Sequence, residues 1–69
     1  MLDAHNEPLA VGDSVVLLSL PDGYESRHYP LTLGATYEVQ AFMGSNVVTT
    51  SDEPSLSADY WRGRVAKVS

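Results

Sequence analysis

The chain has 69 residues, nine acids against four bases for a net charge of −5, and no cysteine. That length makes one small domain burying only about 60% of its unfolded surface, and the missing thiols exclude disulfides and thiolate metal sites. The longest apolar run, Val15–Leu18, is far below the roughly 20 residues needed to cross a bilayer as a helix. The opening residues have no basic stretch followed by an apolar one, so a secretion signal is not expected, and the reading is a cytoplasmic protein.

Charge divides the chain. Residues 1–60 hold all nine acids and one base, Arg27, whereas 61–69 hold Arg62, Arg64 and Lys67 and no acid. Nucleic-acid binders lay Lys and Arg across a face to displace counterions, and here most of the surface repels phosphate. The acidity reads first as solubility, and second as a field that attracts a basic partner.

Residues 1–9 are polar, contain Pro8, and read as a flexible arm that orders only against the body; residues 10–69 form the barrel domain. The Gly12-Asp13 turn leads into a strand over Ser14–Leu20 with apolar residues on both faces, as for a strand covered on both sides or curling across a barrel corner. Pro21-Asp22-Gly23 stops it. Residues 24–31, closed by Pro30, read as a long loop or an irregular hairpin, with Tyr24 and Tyr29 bracketing Glu25-Ser26-Arg27-His28. Gly34 opens a second strand over Thr36–Met43, with Tyr37, Val39, Ala41 and Met43 on one side and Glu38 and Gln40 on the other. Phe42 breaks that polar side, as a cover for the sheet or a contact, including a self-association contact. A short turn at Gly44-Ser45-Asn46 returns the chain into Val47–Thr50. A brief strand at 55–57, a 3₁₀ turn within 58–63 and a closing strand over 64–68 complete five strands.

Gly12-Asp13-x-Val15, then Leu31-x-x-Gly34-x-x-Tyr37-x-Val39, then Tyr60, Arg64 and Val65 carry a family likeness. The chain resembles the small SH3-like barrels of short bacterial and phage-encoded proteins of unassigned role. The ending from Tyr60 to Val68 also resembles the 3₁₀ turn and closing strand of eukaryotic-type SH3 domains. The resemblance implies an all-β, five-stranded SH3-like barrel with a long first loop and a short 3₁₀ turn before the last strand. It implies no particular chemistry. The first strand lacks the tyrosines of an Ala-Leu-Tyr-Asp-Tyr segment, so recognition of PxxP peptides is not expected.

Nothing at motif level points to catalysis. His5 and His28 lack metal-ligand spacing, Asp52 and Glu53 read as solvated turn carboxylates, and a barrel this small fills its interior with its own side chains. No cofactor and no metal are expected. The aromatics point instead to binding, because Trp, Tyr and Arg dominate interface hot spots and loops carry function. The expected partner surface is Tyr24, Arg27, His28 and Tyr29 on the long loop, with Tyr60, Trp61 and Arg62 beside it; Trp61 reads equally as a plug for the barrel's end. The function expected is a non-catalytic protein-binding module, in the setting of an accessory factor that modulates a host or assembly protein. Two alternatives stand beside it. One is a nucleic-acid-associated barrel using Arg62, Arg64 and Lys67, and the other is a homo-oligomer joined through edge strands.

Overall fold

The computed structural model describes residues 1–20 and 30–68. Five strands run β1 (Ser14–Leu17), β2 (Thr36–Met43), β3 (Asn46–Thr50), β4 (Ser57–Trp61) and β5 (Val65–Val68), with a 3₁₀ turn over Arg62–Arg64 between the last two. They form one all-antiparallel sheet in the order β4-β3-β2-β1-β5. The sheet is strung on β2, whose first residues (36–38) pair with β1 while Val39–Met43 pair with β3. Both strand-entry glycines adopt the left-handed φ that their turns require, +96° at Gly12 and +80° at Gly34. The Gly12 turn also stitches onto β2: its N–H donates to the Val39 carbonyl at 2.8 Å, and the Val39 N–H returns to the Asp13 carbonyl at 2.9 Å.

The core is built from one face of these strands: Val15 and Leu17 of β1, Tyr37 and Val39 of β2, Val47 of β3, Ala58 and Tyr60 of β4 and Val65 of β5, with Leu9 and Leu31 closing it. Three expectations are corrected. β1 ends at Leu17 and not Leu20, and it is buried on one face only, since Val16 is half-buried and Leu18 exposed. The stretch 58–61 belongs to a strand, and the 3₁₀ turn begins only at Arg62. Third, the alternation along β2 breaks at Gln40, not at Phe42. Val39 faces Thr49 but Ala41 faces Val48, so one residue is bulged out of the ladder. Past that point the phase inverts. Phe42 faces Val47, on the side of the buried Val47 and Tyr60, and Ala41 and Met43 turn outward.

Residues 1–9 lie folded against β5. Leu2 and Pro8 form an antiparallel bridge, and the Leu9 N–H donates to the Met1 carbonyl at 2.7 Å. Inside this loop Asp3 is 1% exposed. Its Oδ1 accepts the N–H groups of His5 and Glu7, each at 2.8 Å, and its Oδ2 accepts the Lys67 N–H at 2.6 Å. Burial pushes the Asp3 carboxyl up, yet the backbone donors of Lys67, Glu7 and His5, with the nearby His5 ring, hold it below the usual carboxylate range. The segment is thus anchored twice, by Leu9 in the core and by the buried carboxylate of Asp3.

Candidate functional site

β4 delivers two aromatics to opposite sides of the sheet, as period-two alternation demands. Tyr60 points inward, 4% exposed, with its hydroxyl 2.8 Å from the hydroxyl of buried Thr49. It belongs to the core. Trp61 is 52% exposed and caps the 3₁₀ turn. A Cβ on Gly63 would collide with Cη2, Cζ3 and Cε3 of the indole, so the ring lies directly against the glycine backbone. The missing side chain at position 63 makes room for the indole against the turn, while about half of the Trp61 surface stays exposed. Register adds neighbours on the outer face, where Met43, Asn46 and Trp61 form one row and Ala41, Val48 and Asp59 the next. Asn46 Nδ2 ties the two rows by donating to Asp59 Oδ1 at 2.9 Å.

Arg62 sits beside the indole, half-buried. Its N–H donates to the Ser45 carbonyl at 3.2 Å, and its Nη1 donates to the Leu2 carbonyl at 3.1 Å. The other two bases go elsewhere. Arg64 Nη1 donates to Ser19 Oγ at 3.3 Å, and Lys67 Nζ lies 3.6 Å from Asp13 Oδ2. Among the described residues the three bases thus each engage a different partner on the chain's own surface.

Of the expected surface, Tyr24, Arg27, His28 and Tyr29 lie outside the described residues. The far end of their loop is anchored by a polar cluster. The Asp52 N–H donates to the Pro30 carbonyl at 2.7 Å. Tyr37 OH accepts the Thr32 N–H at 2.7 Å and donates to Asp52 Oδ1 at 2.9 Å, while Thr32 Oγ1 donates to Asp52 Oδ2 at 2.7 Å. Burial, with the Asp52 carboxylate alongside, pushes the Tyr37 phenol above its ordinary value against the opposing Thr32 N–H. This cluster gives Asp52 a tethering job, fastening the loop's end to the β3–β4 connection.

Among the described residues no three His, Asp or Glu side chains converge as metal ligands, and no helix is long and apolar enough to cross a membrane. Sequence reasoning missed Asp3 and the Tyr37–Asp52–Thr32 tether, because a lone acid in a polar stretch carries no periodic signal. Gly63, two residues after the only tryptophan, was the one visible hint of the packed indole. Comparisons with protein-family models, with curated proteins and with solved structures give no match.

Proposed function

We propose that this chain is an SH3-like barrel working as a non-catalytic protein-binding module, with Trp61 and Arg62 at the centre of its contact surface. The barrel reading is supported by the return of β5 to pair with β1, which brings first and last strands together. It is supported too by the bulged β2 shared between both halves of the sheet and by the 3₁₀ turn that links the two edge strands. The observation that carries the binding reading is the indole of Trp61, half-exposed yet packed against Gly63. An aromatic already ordered loses little entropy when a partner covers it, and Trp and Arg are among the residue types most enriched at hot spots. The acidic body, residues 1–60, favours the approach of a basic partner to the molecule.

The test is capture of partners from the native host's lysate by the wild type and by Trp61→Ala, at matched fold stability. The reading expects a partner that the wild type retains and Trp61→Ala loses. Identical partners at identical yield would remove Trp61 from the contact surface.

A further inference from the structure

The sheet has two edges, and register says which backbone groups each one presents. On β5, the Leu18 N–H donates to the Arg64 carbonyl at 2.7 Å, which makes Leu17–Val65 a non-hydrogen-bonded pair. Val65 and Lys67 therefore turn their N–H and C=O groups away from β1, toward the outside. Three of those four outward groups are covered by the chain itself. The Val65 N–H donates to the Arg62 carbonyl, the Val65 carbonyl accepts the Ala4 N–H at 2.9 Å, and the Lys67 N–H donates to Asp3 Oδ2 at 2.6 Å. Residues 1–9 supply the last two of these contacts. The segment adds no strand of its own beside β5; one N–H and one carboxylate stand in for a strand.

The two groups that the segment covers are an acceptor at Val65 and a donor at Lys67, two residues apart. Set a second β5 antiparallel to the first, with Ala66 facing Ala66 of the other copy. Lys67 N–H of each copy then meets Val65 C=O of the other, in two symmetric hydrogen bonds. The facing side chains are small at the centre, and each lysine lies opposite a valine, so no like charges are opposed. The edge is self-complementary in the groups that residues 1–9 hide.

We propose that the outer edge of β5 is a pairing site for β5 of a second copy, kept closed by residues 1–9 through Asp3 and Ala4. With the segment docked the chain does not pair through this edge. With the segment displaced, two copies join across a two-fold axis through Ala66 into one continuous sheet. This inference does not rest on the Trp61 contact surface, and its failure would leave that reading intact.

The experiment uses full-length Asp3→Ala and Asp3→Asn, which weaken the cover while leaving β5 unchanged. Sedimentation equilibrium of the wild type is expected to give the 7.5 kDa mass of the single chain. The variants are expected to approach twice that mass as concentration rises into the millimolar range. In a mixture of isotope-labelled and unlabelled variant chains, a filtered NOE between Ala66 Hα atoms of different copies is expected. A folded variant that keeps the single-chain mass throughout would overturn the proposal, as would a dimer without that NOE. Loss of the fold in both variants would overturn it as well, because residues 1–9 would then be part of the body and not a removable cover.

Discussion

The edges at β5 and β4 meet the same hazard in opposite ways. An exposed edge presents unpaired backbone groups that invite another strand. At β5 the hazard is covered by residues 1–9 and a buried carboxylate. At β4 the Arg62 N–H bonded to the Ser45 carbonyl makes Asn46–Trp61 a non-hydrogen-bonded pair. Ser57, Asp59 and Trp61 therefore aim their backbone groups away from β3; the 3₁₀ turn takes up the Trp61 carbonyl at its N-cap, and among the described residues no other strand pairs with this edge. Here the protection is a charge, Asp59, in the middle of the strand. A covered edge depends on a fold around one side chain, whereas a charged edge depends on the charge of Asp59 itself, tied among the described residues only to Asn46. The first is costly to break and the second cheap to alter.

That contrast fixes the order of expected effects. Asp3→Ala leaves three N–H donors without their acceptor, and hydrogen bonds to a charged group put the loss at about 2–3 kcal/mol, read as a lower urea midpoint. Acid has the same target. Because the Asp3 carboxyl is held below its ordinary value in the folded chain, its contribution is complete above the unfolded value of about 4 and is lost as pH falls through the lowered folded one. The stability gap between wild type and Asp3→Asn is thus expected to be constant near neutrality and to shrink below about pH 4. An unchanged gap down to strong acid would show that Asp3's charge is not what holds residues 1–9.

Elsewhere in the molecule the expected effects are smaller on average. Gly63→Ala puts a Cβ into the Trp61 ring and is expected to cost about 1–3 kcal/mol by overpacking. In a Trp61→Ala background most of that cost disappears, and an additive double-mutant cycle would mean that the indole does not pack on the turn. Tyr37→Phe removes a hydroxyl that bridges Thr32 and Asp52, a loss of about 1 kcal/mol, with Asp52→Ala in the same background adding less than it does alone. Asp59→Asn keeps an oxygen for Asn46 and changes stability by no more than about 0.5 kcal/mol. A large loss there would show that the β4 edge also depends on structure rather than on charge.

The all-β class, the five strands, and the positions of β2 and β3 are legible in the sequence, because β-branched residues and left-handed glycine turns act locally. The turns at Gly12 and Gly34 are the clearest cases. What was not legible is non-local. The bulge at Gln40 is decided by β2 having to pair with two different neighbours, so Phe42 looked misplaced when it is in phase. β4 runs from Ser57 to Trp61 because β3 offers it a ladder, although Ala58 and Asp59 carry weak strand propensity of their own. Asp3 is invisible for a related reason: its role exists only once Lys67, 64 residues later, presents an N–H beside it. For the contact surface, the sequence singles out Trp61 and Arg62 but cannot separate Trp61, which faces out, from Tyr60, which faces in. Strand phase alone makes that distinction.

Residue-resolved amide hydrogen exchange on the wild type tests the central claim most directly, namely that one edge is closed from within and the other has, among the described residues, no strand beside it. The account expects strong protection at Lys67, whose N–H is held by the Asp3 carboxylate, and fast exchange at Asp59 and Trp61 on the outer side of β4. Lys67 exchanging as fast as Asp59, or Asp59 as protected as Lys67, would contradict it.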